Sequence, residues 1–437
     1  MSAKKRAAAE AQPPALRFLA TSGDDPFVRP TVCWIRREPG INLTDWTLHL
    51  EDPGGEAEPV VGLKEWALFG AQDYRYLDPA GGAGAHRLRS YGREEVLTKY
   101  LAAVVGTIPP ASRESVWCLA PAIADAARRK AYYSALRAAV PQARILHEPE
   151  MVLEYFRLVR REVTLESGRH GIYLIVDSGA STTNFTIVIS NLDETVTGAE
   201  TARARPKSLD AKVGNALGLA GAWIDRHLAD QIGWKSLLRS MAPVVRDRVL
   251  AALEAAKVRA GVSGATVDIE GPDVPTVAAI SVAQLRATAE TLWAHLRPLF
   301  LDVAKKFLAE IGQGKHGAPI LQRLSEAGID GPEGIHRAID GVFLAGGTSQ
   351  LPGFQAAMLA TVFPANPGVP IYAVGPEYRL AAAVGALAHV LDQTYRPSRL
   401  VAKEGLDTAD SLVAVPLQTT VTADVLWGTV NGSLKTS

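Results

Sequence analysis

The chain has 437 residues, with 46 basic and 46 acidic side chains and a formal net charge of zero. Its hydrophobic fraction of 47% provides enough apolar material for a packed core, which excludes a wholly disordered chain. The balanced charge disfavours a dedicated nucleic-acid-binding protein, because such proteins usually carry a basic surplus. No apolar run reaches the roughly 20 residues of a membrane helix, so we expect no membrane partner.

Cysteine usage and the N-terminal composition indicate the compartment. The two cysteines, Cys33 and Cys118, are too few for a disulfide framework or a zinc site. Residues 1–15 are rich in alanine and lack the apolar centre of a secretory signal. The sequence therefore predicts a cytoplasmic protein with reduced thiols and a disordered N-terminal arm.

The first hundred residues predict a β-rich start followed by one helix. Short apolar runs separated by proline and glycine turns predict strands at Leu16–Ala20, Thr31–Ile35, Trp46–Leu50 and Trp66–Phe69. Apolar residues at helical spacing then predict a helix over Arg93–Val105.

From about residue 115 the pattern alternates between strands and helices, which predicts an α/β sheet. We expect strands at Ser115–Ala120, Arg144–Leu146, Ile172–Val176, Thr183–Ile189 and Val342–Ala345, with two short ones between Val267 and Ile280. We expect helices at Ala122–Ala139, from Pro149, at Ala211–Ile232 and Val244–Ala260, from the Ser281/Gln284 capping box to about Glu310, from near Leu351 or Pro352, and at Tyr378–Leu391.

An acidic residue followed by small residues joins the strands at Ile172–Val176 and Thr183–Ile189. Asp177 ends the first strand, and Ser178, Gly179, Ala180, Ser181 and Thr182 precede the second. Small residues let backbone N–H groups approach a phosphate, and the carboxylate of Asp177 could hold a hydrated divalent cation. The alternative is an ordinary β-hairpin with a Ser/Thr/Gly turn, and this stretch alone leaves both open.

A second glycine-containing junction follows the strand Val342–Ala345. Gly346 and Gly347 precede Thr348 and a predicted helix, whose N-terminus would offer free N–H groups to a phosphate or nucleoside. Strand–Gly-Gly–helix junctions are common in α/β folds, so this pattern is weak by itself.

Three charged side chains complete the candidate set. Glu148 begins a helix after His147, where it could orient water or a hydrated metal, or simply favour the helix dipole. Glu254 and Lys257 lie three residues apart on one helix face, where they could flank a nucleoside or form a surface ion pair.

The order of these motifs resembles the actin-like ATPase superfamily, and within it the nucleotide-binding domain of heat-shock protein 70 (DnaK-type) chaperones. The likeness covers roughly Leu16–Leu391 and is clear from about Ser115. The similar segments, in chain order, are SVWCLAPA, RILHEPEMVLEYF, VDSGASTTNF, LGLAGAWIDRHL, LEAAKVRA and LAGGTSQLPGF.

The resemblance implies a role for each matching residue. Asp177 matches the aspartate that holds hydrated magnesium, Thr182 a threonine near the γ-phosphate, and Glu148 a glutamate that helps to place metal and water. Asp225, in LGLAGAWIDRHL, matches the aspartate of the family's LGG-x-x-F-D segment. The residues implied to contact ATP or ADP are Gly179, Ser181, Thr183, Glu254, Lys257, Gly346, Gly347 and Thr348.

The sequence also departs from the family pattern at positions that matter for hydrolysis. The first phosphate hairpin, D-x-G-T-T, has no counterpart in residues 1–32, so the chain is expected to begin after it. Asn184 stands where a second carboxylate is usual, and Val258 replaces an arginine that stacks on adenine. Since losing a charge-stabilising element costs roughly 10²–10³-fold in rate, hydrolysis by this chain alone is expected to be weak or absent.

The resemblance implies a two-lobed actin-like α/β fold, with ribonuclease H-like lobes around a nucleotide cleft. The expected units are the arm 1–15, lobe I 16–166, lobe II 167–375 with a helical subdomain at about 208–276, a returning helix 376–396, and a tail 397–437. Two functions follow: a chaperone-like ATP/ADP switch using magnesium, or a pseudo-ATPase scaffold that binds no nucleotide. Either is expected to have a protein partner, at an exposed edge of lobe I or of the co-chaperone type.

Overall fold

The structure is a computed structural model. It describes residues 33–37, 46–50, 58–60, 74–78, 87–106, 117–120, 123, 125–160, 171–180, 182–192, 206–241, 243–271, 273–312, 318–374 and 381–394. The strands are β1 (Cys33–Arg37), β2 (Trp46–His49), β3 (Glu58–Val60), β4 (Tyr74–Asp78), β5 (Arg87–Tyr91), β6 (Trp117–Ala120), β7 (Arg144–His147), β8 (Gly171–Ser178), β9 (Thr182–Leu192), β10 (Pro206–Leu217), β11 (Val267–Asp268), β12 (Ala279–Ile280), β13 (Gly341–Ala345) and β14 (Ile371–Ala373). The α-helices are α1 (Arg93–Gly106), α2 (Ala126–Ala139), α3 (Glu148–Glu154), α4 (Gly221–Gln231), α5 (Lys235–Ser240), α6 (Pro243–Ser263), α7 (Val282–Gly312), α8 (Ala318–Glu326), α9 (Phe354–Val362) and α10 (Ala381–Thr394).

A five-stranded sheet in the order β10-β9-β8-β13-β14 organises the second half of the chain. Strands β8, β9 and β10 form an antiparallel meander, whereas β13 is parallel to β8 and β14 is parallel to β13. In this register Asp177 of β8 lies between Asn184 of β9 and Ala345 of β13. The described residues therefore form a mixed α/β protein with β8 at the centre of its largest sheet.

Strand β8 is apolar along both of its faces because helices cover the sheet on both sides. Alternate side chains point to opposite faces, so Ile172, Leu174 and Val176 join one hydrophobic cluster with helices α4, α6, α7 and α9. Tyr173 and Ile175 join a second cluster with α3 and α10. Burial on both faces explains why β8 is a continuous apolar run.

The described residues also contain a π-helix and two 3₁₀ segments, one of which spans Pro332–Arg337. A π-helix, Tyr155–Arg160, directly continues α3 and buries Phe156 against Phe343 of β13. A 3₁₀ turn, Gly347–Gln350, follows β13 and precedes α9. The predicted helix start near Leu351 or Pro352 is therefore a few residues early, since α9 begins at Phe354 after Gly353 with φ +85°.

The helix predicted over Ala211–Ile232 is wrong in its first part. Residues Pro206–Leu217 form β10, which pairs with β9 from Pro206 opposite Leu192 to Leu217 opposite Thr182. Helix α4 begins only at Gly221. The apolar residues in this segment are spaced as in a helix, but pairing with β9 gives it a strand conformation instead. Strand formation commonly depends on such neighbours in the tertiary structure more than on local propensity.

Most other predicted elements are confirmed within a few residues. The capping box at the start of α7 is present, since Gln284 Oε1 accepts from the Ser281 backbone N–H at 2.9 Å and the Gln284 N–H donates to Ser281 Oγ at 3.3 Å. The strands predicted at Leu16–Ala20 and Trp66–Phe69 lie outside the described residues. So do the proposed arm 1–15 and the tail from residue 397.

The N-terminal half contributes smaller sheets. Strand β1 pairs antiparallel with both β2 and β3, β4 pairs with β5, and β6 is parallel to β7. Within the described ranges, none of the helices combines the length and apolar character required to cross a membrane.

Candidate functional site

The candidate residues around Asp177 lie where β8 and β13 both end. Because the two strands are parallel and Asp177 is level with Ala345, the turn after β8 lies beside the glycine pair after β13. We call the residues 177–180, 220–222 and 346–348 the turn junction. The structure thus brings together two motifs separated by about 170 positions in the sequence.

Gly346 allows the close approach of the two turns. It has φ +82°, a conformation that glycine adopts readily and other residues rarely do. A Cβ atom on Gly346 would overlap the carbonyl oxygen of Ser178 and would stand 2.8 Å from Asp177 Oδ1. Packing between the two strand ends is therefore sufficient to explain this glycine, with no ligand required.

Thr348 and the N-terminus of α4 bind the backbone of the turn after β8. The Thr348 hydroxyl donates to the carbonyl oxygen of Gly179 at 2.7 Å. The Gly221 N–H donates to the same oxygen at 3.1 Å, and the Ala222 N–H donates to the carbonyl of Ala180 at 2.7 Å. Both carbonyl oxygens therefore already accept hydrogen bonds within the chain. Among the residues of the turn junction, Ala180 and Gly347 are exposed to solvent, and Gly179 and Asp177 are half-buried.

Thr182 and Thr183 are both buried. The Thr183 hydroxyl donates to the carbonyl of Leu219 at 2.7 Å and lies 2.7 Å from Ser178 Oγ, with no solvent exposure. These bonds tie β9 to the segment before α4. The hydroxyl of Thr183, which the resemblance implies to contact the nucleotide, thus bonds within the chain, and Ser181 lies outside the described residues.

Asp177 points to the sheet face that α3 covers. By strand alternation it shares the side of Tyr173 and Ile175, whose second cluster includes Val152 and Leu153 of α3. Asn184, directly opposite on β9, is 4% exposed. Glu148 is the first residue of α3, directly after β7, at the strand-to-helix junction that the sequence predicted. The structure therefore places Asp177 and the helix that begins with Glu148 on one side of the sheet.

Glu254 and Lys257 of α6 differ in solvent exposure and in their partners. Lys257 Nζ lies 2.6 Å from Asp225 Oδ1 of α4, and both side chains are 11% exposed. Glu254 is exposed. Burial raises the pKa of Asp225 to about 6, the nearby Glu254 carboxylate adds to this, and the Lys257 and Arg226 charges oppose it. Lys257 therefore forms a largely buried ion pair with a third residue, Asp225, and its contact with a nucleoside stays a prediction.

The sequence patterns missed the contribution of Gly221 and Ala222. Their N–H groups hold the turn after β8, but they were assigned to the interior of a predicted helix rather than to its start. The three consecutive small residues from Ala220 to Ala222 were the available signal, since small residues permit such a close approach. A Cβ atom on Gly221 would stand 3.2 Å from Ala180 Cα.

Comparison of the chain with models of known protein families gives no match, and comparison with curated protein sequences gives none either. The likeness to DnaK-type chaperones therefore stays a prediction from the motifs.

Proposed function

We propose that this chain is an atypical DnaK-type, actin-like protein that binds ATP or ADP as a conformational switch and hydrolyses ATP weakly or not at all. The observation that carries the proposal is the turn junction. It places the half-buried Asp177 and the exposed residues Ala180 and Gly347 at the shared end of two parallel strands, whereas the N–H and carbonyl of Gly179 already bond within the chain.

The position of the turn junction supports a ligand site. In open α/β sheets, ligands bind outside the carboxyl ends of the strands, and β8 and β13 both end there. The order of three antiparallel strands followed by two parallel ones also supports the proposed ribonuclease H-like lobe. We include in this proposal a first lobe formed by the N-terminal part of the chain and a nucleotide cleft between the two lobes.

The residues present fit a magnesium nucleotide in part. Asp177 would hold the hydrated ion, which when bound neutralises phosphate charge, and the exposed turn backbone would approach the phosphates. The hydroxyls of Thr183 and Thr348 already donate to backbone carbonyls. Asn184, opposite Asp177, supplies no second carboxylate. We therefore expect binding with little transition-state stabilisation.

A melting experiment tests this function. We expect Mg-ADP and Mg-ATP at millimolar concentration to raise the melting temperature, because a ligand that binds only the folded state stabilises it. Asp177→Asn should reduce the shift, whereas Asp330→Asn, at an exposed position outside the turn junction, should retain it. An unchanged melting temperature with both nucleotides would contradict the proposal.

The second candidate is a pseudo-ATPase scaffold that binds no nucleotide and acts through a protein partner. It is favoured by the internal use of polar groups, since Thr183, Thr348 and Lys257 all bond within the chain. Under this alternative the wild-type protein shows no nucleotide shift. Under both candidates the expected partner is another protein. For the scaffold, we expect this partner to bind by adding a strand to a sheet edge.

A further inference from the structure

A buried ion pair links the helix that holds the turn after β8 to the helix that carries Glu254. Asp225 lies on α4, one turn beyond Gly221 and Ala222, and Lys257 lies on α6. The 2.6 Å distance and the 11% exposure of both side chains leave the Lys257 ammonium little access to another partner. A ligand hydroxyl could bind this ammonium only by drawing it from Asp225.

Drawing Lys257 away would leave the Asp225 carboxylate buried without its partner. An isolated buried carboxylate is strongly disfavoured, and the usual response is to take up a proton. The other charges that act on Asp225 are Glu254 of α6, which disfavours its ionised form, and Arg226 of α4, which favours it. Glu254 therefore adds to the tendency of Asp225 to bind a proton once Lys257 moves.

We propose that Asp225 is the positioning residue for Lys257, and that a nucleoside which engages Lys257 binds together with one proton on Asp225. The Lys257 ammonium stays protonated and exchanges its bond to Asp225 for a bond to a ligand hydroxyl, while a solvent proton moves to the carboxylate. This inference rests on the proposed nucleotide-binding function and adds a link between binding and pH.

The test measures the affinity of adenosine and of Mg-ADP at pH 5.5 and pH 7.5 by titration calorimetry. Adenosine has no phosphate, so its own charge does not change between these values. Because burial already raises the pKa of Asp225 to about 6, we expect wild-type protein to bind at least about tenfold more tightly at pH 5.5. Proton uptake at pH 7.5 should appear as a dependence of the binding heat on the buffer.

Two variants on α4 show whether the pH dependence of binding comes from the Asp225 carboxyl or from any loss of charge on this helix. Asp225→Asn should bind with equal affinity at both pH values and without proton uptake. Asp230→Asn, on the same helix, removes an exposed ion pair with Lys235 and should behave as wild type. Carboxyl NMR of the free and the adenosine-bound protein checks the group itself, and a midpoint for Asp225 that does not rise on binding would overturn the inference.

The outcomes distinguish this inference from the function on which it rests. Binding that is independent of pH in wild type, or a pH dependence that survives in Asp225→Asn, overturns the proton link but leaves nucleotide binding in place. Absence of binding by both adenosine and Mg-ADP at either pH overturns the inference and the proposed function together.

Discussion

Gly346 lies so close to the carbonyl group of Ser178 that no side chain can be placed between them. This contact fixes the turn after β13 against the end of β8 and therefore determines the shape of the turn junction. Both motifs identified in the sequence depend on it, because they form one site only if the two strand ends meet.

The first prediction concerns Gly346→Ala. We expect the free energy of unfolding to fall by about 3 kcal/mol or more, since the new Cβ overlaps the Ser178 carbonyl and the backbone has φ +82°. Chemical denaturation measures the loss. Gly264→Ala is the control, because Gly264 has φ +71° with no atom within 4 Å of a Cβ position. It should lose only about 1 kcal/mol. Equal losses would contradict the close contact.

The second prediction concerns Gly385 in α10. Replacing a helical glycine by alanine normally stabilises a helix by about 0.5–1 kcal/mol. Here a Cβ atom would overlap the carbonyl oxygen of Met151 in α3, so we expect Gly385→Ala to lower the melting temperature instead. Gly312→Ala, at the end of α7 with nothing within 4 Å, should leave it unchanged or higher. A stabilised Gly385→Ala would show that α3 and α10 are not packed this closely.

The third prediction concerns the buried hydroxyl of Thr183. Thr183→Val preserves the shape but leaves the Leu219 carbonyl and the Ser178 hydroxyl without this partner, so we expect a loss of about 1–3 kcal/mol. Thr291→Val is the comparison, since its exposed hydroxyl bonds only to the Ala287 carbonyl of its own helix. Urea unfolding should show a change within about 0.5 kcal/mol for Thr291→Val. A similar value for both variants would argue against the buried bond.

The fourth prediction concerns the pH dependence of stability. The pKa of Asp225 is raised from 3.8 to about 6 in the folded state, so the folded protein binds this proton more tightly than the unfolded chain. The contribution of Asp225 to stability is therefore greatest below about pH 4 and falls as pH rises to about 6. The fall is on the order of 3 kcal/mol for a shift of this size.

Unfolding of wild type and Asp225→Asn in urea across pH 4–7 measures this contribution. The stability of the variant relative to wild type should rise between pH 4 and pH 6 and then level off. Asp230→Asn should show no such change, because its ion pair with Lys235 is exposed. A flat difference for Asp225→Asn would mean that burial does not raise the pKa of this carboxyl.

Local patterns were sufficient for much of the fold and for part of the site. The apolar run of β8, the capping box before α7 and the strand-to-helix junction at Glu148 all depend on neighbours within a few positions. Strand β10 could not be predicted in this way, since its partner β9 determines its conformation. The same holds for Lys257, whose partner Asp225 lies 32 positions earlier.

The amino-acid sequence by itself determined a neutral chain with an apolar core, alternating strands and helices, and two glycine-containing turns that each follow a buried strand. Only the tertiary structure decided that these turns adjoin, that α4 holds one of them, and that Thr183, Thr348 and Lys257 bond within the chain. The physical reason is that the partner of a buried polar group is chosen by distance in space, which local spacing does not encode.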